Sequence, residues 1–323
     1  MNTFPLVTAS GSHFDVGVQV GTSLSGSITD MLLKNRLLCG DKLDEKIHAT
    51  RPYLDLVKKH FPQYLLELEG MSKGAGVPFD ELFLANVQEV IDDNPYEAMR
   101  CTVIGIPQDG GWFVGFNEDW MQESLPHLYV FDVTIEGNRF FGLGYAYELI
   151  STSIAINSHG LLQAINELPA PDVRIGVPKN FIARAVLDCT TLDGARHVVQ
   201  SVPRGGAFNH ALFQGEDLLD IEYTPDVLGT ERITKEKYVH TNSYIVLPKA
   251  PVLNSISEQR RQKIQSKIAT IQTVEDLKII LSDTEDPPVC RPETIGSVIF
   301  DTAKRVAYVA YGQPTPTNYS VIK

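Results

Sequence analysis

The sequence contains few cysteines, and none of them belongs to a recognisable metal or disulfide motif. Only Cys39, Cys101, Cys189 and Cys290 occur among 323 residues, far apart and without a Cys-x-x-Cys pair. The eight histidines include no i, i+4 pair on an expected helix, which is the spacing of a helical zinc site. We therefore expect reduced thiols, no metal and no other cofactor, and each cysteine has to be considered alone.

Long apolar runs and an excess of positive charge are also missing. No stretch approaches the roughly 20 apolar residues that a membrane span needs, and residues 1–21 lack the basic start and apolar core of a signal peptide. The chain has 28 basic and 40 acidic residues, a net charge of -12, which argues against a nucleic-acid partner. These absences predict a cytoplasmic protein with neither a membrane nor a nucleic acid as its partner.

Several familiar functional motifs are absent as well. No Gly-x-Ser-x-Gly elbow occurs, the segment "GLGYAY" lacks the third glycine of a dinucleotide fingerprint, and "SKGAGVPF" lacks a phosphate-loop lysine. The basic run "EQRRQKIQSK" is typical of a solvated helix face. None of these segments predicts a cofactor or phosphate site.

The first 100 residues read mainly as helix. Ser12 is placed as an N-cap, and Gly17 and Gly21 lie on one face of the helix that follows, where another element could pack closely. A second helix, "FPQYLLELEGMSKGAG", is expected to stop at Gly74 and Gly76, and a further one restarts after proline.

From residue 101 onwards, short strands and turns dominate. Strands are predicted in the following segments: "CTVIGI", "WFVGFN", "HLYVFDVTI", "RFFGLGYA", "STSIAINS", "LLQAINEL", "AFNHALFQ", "DLLDIEYT", "YVHTNSYIV", "GSVIFDT" and "RVAYVAYG". Helices are predicted in "NFIARAVLDCTTLDGARHVVQSV", "ISEQRRQKIQSKIATI" and "VEDLKIILSD". This interleaving indicates an α+β protein with antiparallel sheets covered by helices, in one domain on which the helical segment 1–100 packs.

The Asp109-Gly110 pair predicts a tight hairpin that brings chemical groups together. A turn centred there pairs residues whose numbers sum to about 218 or 219, so Cys101 lies opposite Asn117 or Glu118, with Asp119 close by. No histidine is near in sequence to act as a base. The pattern alone therefore leaves two interpretations open: an ordinary buried thiol at the start of a strand, or a nucleophile.

The chain resembles a known family in several segments that follow one another in order. These are the opening "GSHFDVGVQVG", the segment "ELEGMSKGAGVPFDELFLANVQEV", "CT" followed by "GFNEDW", the strand "HTNSY", and the final "GSVIFDTAKRVAYVAYGQP". Together they resemble the autoproteolytic acyltransferases and amidases related to acyl-coenzyme A:6-aminopenicillanic acid acyltransferase, which are N-terminal-nucleophile hydrolases. The resemblance implies a four-layer αββα sandwich.

The resemblance also implies a mechanism that needs no histidine. Such proteins cut their own chain before the nucleophile, here between Arg100 and Cys101, so that residues 1–100 and 101–323 become two associated subunits. The new α-amine of Cys101 then serves as the base. Arg100 stands where relatives commonly have glycine, and Ser243 where a histidine is expected.

Other site residues follow from the same resemblance. Asp119 would orient the new amine, and Asn242 would donate to the oxyanion. Arg291 would lie in the pocket and bind a carboxylate or assist cleavage, with Arg305 as the other candidate. Each has a structural alternative: Asn242 as an amide bound within the strands, and Arg291 on the surface.

Further residues are assigned to the surroundings of the site. Thr102 and Asn117 would support the nucleophile. Tyr145, Tyr147 and Phe208 would contact the substrate, although each also fits an aromatic core.

The implied function is hydrolysis of linear N-acyl amides through an acyl-enzyme on Cys101. An acyltransferase that takes its acyl group from acyl-coenzyme A would use the same site, and the sequence does not separate the two. An unprocessed binding protein of the same fold is the second alternative.

Overall fold

The computed structural model describes residues 4–34, 42–91, 101–150, 152–170, 173–247 and 255–322. Cys39 and Arg100, including the predicted cleavage position, lie outside these ranges. Within the described part of the chain, no helix is long and apolar enough to cross a membrane.

Helices make up most of the chain before residue 92, as predicted. Ser12 caps the first helix by accepting a hydrogen bond from the Asp15 amide, and Gly76 ends the fifth in a left-handed conformation with φ 72°. Gly74 was wrongly expected to end that helix and lies inside it. The helices are α1 His13–Ser23, α2 Ser25–Lys34, α3 Leu43–Ala49, α4 Arg51–His60, α5 Pro62–Ala75, α6 Phe79–Ala85, α7 Gln88–Ile91, α8 Lys179–Leu187, α9 Leu192–Gln200, α10 Ser255–Lys267 and α11 Val274–Leu281.

The glycines of α1 permit close packing against α5. A Cβ atom on Gly17 would lie 2.1 Å from the carbonyl oxygen of Glu67, and one on Gly21 would lie 2.2 Å from that of Met71. Both distances are too short for any side chain. The predicted close approach is confirmed, and α5 is the partner.

The strands form two sheets. The larger has the order β1-β4-β5-β6-β7-β8-β9-β10, and the smaller has β11-β2-β3-β12-β13-β14. Pairing is antiparallel except that β1, which the sequence did not reveal, runs parallel to β4. The strands are β1 Leu6–Gly11, β2 Thr102–Gln108, β3 Gly111–Asp119, β4 Leu128–Ile135, β5 Asn138–Tyr145, β6 Ile154–Asn157, β7 Leu162–Glu167, β8 Phe208–Gln214, β9 Asp217–Tyr223, β10 Leu228–Thr234, β11 Tyr238–His240, β12 Thr294–Asp301, β13 Val306–Tyr311 and β14 Ser320–Ile322.

The two sheets pack face to face between two layers of helices. Trp112 of β3 meets Phe213 of β8 edge-on across the interface, with ring centroids 5.3 Å apart. On the outer face of the smaller sheet, Ile104 packs in one apolar cluster with Leu277 of α11. Helices α1, α8 and α9 contact the larger sheet. The predicted α+β fold with four αββα layers is confirmed.

Candidate active site

The hairpin of β2 and β3 fixes the surroundings of Cys101. Thr102 pairs with Asn117, so the numbers of paired residues sum to 219, which is one of the two predicted registers. In the same register Cys101, one residue before β2, lies opposite Glu118. Gly110 takes φ 75° in the two-residue turn, a conformation that glycine adopts without strain.

The thiol of Cys101 is buried in an acidic environment. Burial raises its pKa well above the usual value, and the carboxylates of Glu118 and Asp119 raise it further. A backbone amide and the charge of Arg260 offset only part of this increase. In the uncleaved chain the sulfur is therefore a neutral thiol, and it needs a base to become a nucleophile.

Arg260 of α10 connects the residues of the site. Its Nη2 atom donates hydrogen bonds to the carbonyl oxygen of Cys101 at 3.2 Å and to Oδ1 of Asn242 at 2.9 Å. Its Nη1 atom lies 3.9 Å from Oδ2 of Asp119, and the side chain is fully buried. The interpretation of "EQRRQKIQSK" as a solvated face is thus wrong for Arg260.

Asn242 lies just beyond β11 and is held at several points. Its backbone N–H donates to the Ser257 hydroxyl at 2.7 Å, and Nδ2 donates to the carbonyl oxygen of Glu167 at 2.9 Å. With Oδ1 occupied by Arg260, the orientation of the amide is defined. Nδ2 carries two hydrogens, so one bond to Glu167 leaves a second donor on the same atom.

Asp119 is a buried carboxylate beside these groups. Thr294 donates to its Oδ1 atom at 2.6 Å. Burial raises the pKa of Asp119 to about 6, although Arg260 and the Thr294 hydroxyl favour the ionised form. A group with this pKa changes its charge within the range in which most enzymes work.

Glu222 of β9 supports the loop that carries Asn242. Its carboxylate accepts the backbone N–H groups of Ile245, Val246 and Leu247 at 2.7 to 2.9 Å. Nε2 of His240 lies 3.0 Å from the same carboxylate. Ligand atoms of Asp220, Glu222 and His240 lie within 4.8 Å of one another, but protein donors already occupy both oxygens of Glu222, so the cluster fits loop support better than metal binding.

A small cavity of about 30 Å³ opens beside Cys101. The charged residues that line it are Glu118, Glu148, Glu167 and Lys179. A second cavity, of about 130 Å³, shares Glu167 and Phe208 with it.

Two of the three aromatic residues predicted for the pocket line the cavity beside Cys101. Tyr145 and Phe208 belong to its wall, and the Tyr145 hydroxyl donates to Glu118 at 2.9 Å. Tyr147 packs behind Tyr145, with ring centroids 5.5 Å apart.

Other predicted residues lie away from the thiol. Nδ2 of Asn117 donates to the carbonyl oxygens of Leu281 and Val289, so Asn117 and its partner Thr102 face α11 rather than the cavity. Neither is in a position to support the nucleophile directly.

Neither of the two arginines predicted for the pocket lines the cavity beside Cys101. Arg291 pairs with Glu293 at 3.2 Å; it lowers the pKa of Asp119 but does not line the cavity. Arg305 occupies the turn after β12, near Ser158, and lines a separate cavity. The position beside the thiol belongs to Arg260.

Comparisons with known proteins give a consistent result. The sequence model of the acyl-coenzyme A:6-aminopenicillanic acid acyl-transferase family matches residues 107–316. Beta-alanyl-dopamine/carcinine hydrolase of Drosophila melanogaster is 29% identical over 227 residues, which are 63% of this chain and 59% of the fly protein. The 40 kDa form of acyl-coenzyme A:6-aminopenicillanic-acid-acyltransferase of Emericella nidulans is 22% identical over 95% of this chain and 92% of its own length.

Among solved structures, the Caenorhabditis elegans ortholog of N-acylethanolamine-hydrolyzing acid amidase is similar at 13% identity and a TM-score of 0.48. That likeness covers 69% of this chain and all of the nematode chain.

Proposed function

The chain belongs to the acyl-coenzyme A:6-aminopenicillanic acid acyl-transferase family, and we propose that it is a self-processing amidohydrolase whose nucleophile is Cys101. Its substrates would be small molecules with a linear N-acyl bond. The observation that carries this proposal is the bridge that Arg260 makes between the Cys101 carbonyl oxygen and Asn242, because one buried cation holds the proposed nucleophile and the proposed oxyanion donor together.

Self-cleavage would begin with the thiol of Cys101. The sulfur attacks the carbonyl carbon of Arg100, the C–N bond breaks, and the amide nitrogen becomes the α-amine of Cys101. Water then hydrolyses the thioester and releases the carboxylate of Arg100. The raised pKa of the thiol means that a base must remove its proton first. The Asp119 carboxylate, with a pKa of about 6, is close enough to raise the pKa of the thiol and is suited to this role.

Turnover would use the new α-amine as the base. With an ordinary pKa of about 7.7 to 8.0, this amine takes the proton of the thiol and returns it to the leaving amine. The thiolate attacks the substrate carbonyl, and the second Nδ2 hydrogen of Asn242 stabilises the oxyanion. Water resolves the acyl-enzyme. Glu118 and Asp119 favour the ammonium form of the amine between steps.

The relatives named above include a hydrolase and an acyltransferase, so acyl transfer from acyl-coenzyme A is the second candidate. The test is amine release from a panel of N-acyl amines, with and without an acyl-coenzyme A donor. Release by water alone supports the hydrolase, whereas a requirement for the thioester supports the transferase.

The Cys101→Ala protein is the control in this assay. If the wild-type chain stays intact and releases no amine from any member of the panel, the remaining alternative is a binding protein of the same fold.

A further inference from the structure

We propose that the cavity lined by Arg305 is a second binding site, which takes a compact organic acid with an apolar body and one carboxylate. The cavity has a volume of about 110 Å³. Phe300 in its wall lies six positions along β12 from Thr294, which donates to Asp119 of the candidate active site. At about 3.3 Å per residue, the two sites are about 20 Å apart. Binding at this cavity is therefore separate from the proposed activity.

Apolar side chains from both sheets form most of the cavity wall. Phe141 and Ile156 come from β5 and β6 of the larger sheet. Phe300, Ala307 and Ile322 come from β12, β13 and β14 of the smaller sheet. The rings of Phe141 and Phe300 meet edge-on, with centroids 5.9 Å apart. A wall of this kind favours a ligand with an apolar body.

Two guanidinium groups line the same cavity, and among the described residues no carboxylate does. Arg139 donates from Nε and Nη2 to Asp132, which leaves further donors on both of its Nη atoms. Arg305 makes no ion pair with a described carboxylate, and its Nη2 atom donates only a long hydrogen bond, at 3.5 Å, to the carbonyl oxygen of Ser158. A guanidinium group pairs with a carboxylate through two parallel hydrogen bonds. The charge of the cavity therefore favours an anionic ligand.

The backbone of Arg305 adds an independent observation. In the turn between β12 and β13 this residue has φ 55°, a left-handed conformation that glycine and asparagine adopt more readily than arginine does. Residues held in such conformations cluster at ligand sites. A binding role for the guanidinium group explains why an arginine occupies a turn position that disfavours it.

Benzoate is a probe that fits both the size and the charge of this cavity. A cavity of about 150 Å³ holds benzene, so one of about 110 Å³ that opens to solvent takes one ring with its carboxylate at the mouth. The exposed side chains of Arg139 and Arg305 lie at that mouth. Benzamide and benzamidine have the same ring and nearly the same shape as benzoate, but they are neutral and cationic.

Calorimetric titration of the purified protein with these three compounds tests the site. We expect benzoate to bind about tenfold or more tightly than benzamide, and benzamidine not to bind. Arg305→Asn should weaken benzoate about tenfold without lowering the Tm, because asparagine tolerates the left-handed turn. Arg139→Gln, on the other sheet, should also weaken benzoate. Lys235→Asn is the matched control, since Lys235 is an exposed cation at φ 58° that does not line the cavity. Equal affinities for benzoate and benzamide, or an equal loss in Lys235→Asn and Arg305→Asn, would overturn the proposal.

Isoleucine methyl groups show where benzoate binds. Ile156 and Ile322 line the proposed site, whereas Ile165 lines the cavity beside Cys101. In methyl NMR spectra of the wild-type protein, benzoate should shift the signals of Ile156 and Ile322 and leave that of Ile165 in place. A shift of Ile165 alone would place benzoate beside Cys101 and overturn the proposal. Neither measurement needs catalysis, so the result does not depend on whether any amide is hydrolysed.

Discussion

Arg260 donates a hydrogen bond to the carbonyl oxygen of Cys101 at 3.2 Å across 159 residues of sequence. The same nitrogen also contacts Asn242, and the second guanidinium nitrogen lies near Asp119. One fully buried cation therefore fixes the relative positions of the three residues that the proposed mechanism uses.

Arg260→Lys is predicted to slow both self-cleavage and turnover. Lysine keeps the positive charge but presents a single nitrogen on a flexible chain, so it cannot hold Cys101, Asn242 and Asp119 together. We expect a loss of about 100-fold in each rate, similar to the loss of one oxyanion contact. The rates are measured by mass spectrometry over time and by amine release. Arg261→Lys, whose side chain pairs with Glu258 instead, is the control. Wild-type rates for Arg260→Lys would show that the bridge is dispensable.

The two predicted fragments are joined by a strand pairing and by a buried ion pair. Strand β1 of residues 1–100 pairs with β4 of residues 101–323 along six residues, from Leu6 opposite Val130 to Gly11 opposite Ile135. The fully buried Glu67 pairs with Arg184 at 3.1 Å. These contacts support the proposal that the fragments stay associated after cleavage.

Glu67→Gln is predicted to weaken this association. The substitution leaves the buried Arg184 without its fully buried anionic partner, which costs of order 3 kcal/mol. The processed fragments should then separate at a lower urea concentration in size-exclusion chromatography. Glu69→Gln, on the exposed face of the same helix, is the control. Separation of both variants at the wild-type urea concentration would mean that the ion pair contributes little.

Gly21→Ala and Gly26→Ala are predicted to change stability in opposite directions. A Cβ atom on Gly21 would collide with the backbone of Met71, which should cost about 1–3 kcal/mol or more. Around Gly26 in α2 nothing lies within 4 Å, so alanine should stabilise by about 0.5–1 kcal/mol through its higher helix propensity. Thermal unfolding measures both. A Gly21→Ala protein as stable as the wild type would contradict the close packing of α1 on α5.

Asp220→Asn is predicted to stabilise the protein in a pH-dependent way. Burial raises the pKa of Asp220 from 3.8 to about 7, and His240 offsets part of the increase while the charge of Glu222 adds to it. Between pH 3.8 and about pH 7, Asp220 has lost its proton in the unfolded chain but keeps it in the folded chain. Wild-type stability therefore falls as the pH rises through this range. The Tm of the variant minus that of the wild type should grow from pH 4 to pH 7 and then level off. A constant difference would contradict the raised pKa.

The sequence predicted those features that depend on local chemistry. The Asp109-Gly110 turn determined the hairpin register, and the small residues Gly17 and Gly21 indicated a close helix contact. The same register also places Glu118 opposite Cys101, so this carboxylate could have been assigned to the site from the sequence.

Other features depend on distant contacts and left no local signal. Arg260 lies in a run of charged residues without apolar periodicity, and only packing against the small sheet shows that it is buried. The parallel pairing of β1 depends on a strand more than 120 positions away in the sequence. Arg291 is a cation of the kind that binds a substrate carboxylate, which made it a candidate for the pocket, but its side chain pairs with Glu293.

The central claim is that Cys101 becomes a free N-terminus, and the intact mass of the freshly purified protein tests it most directly. The account predicts two masses, those of residues 1–100 and 101–323, which elute together under native conditions. The Cys101→Ala protein should give one full-length mass and release no amine. A wild-type chain that keeps its full-length mass after long incubation, or a Cys101→Ala protein that is cut at the same bond, would contradict the account.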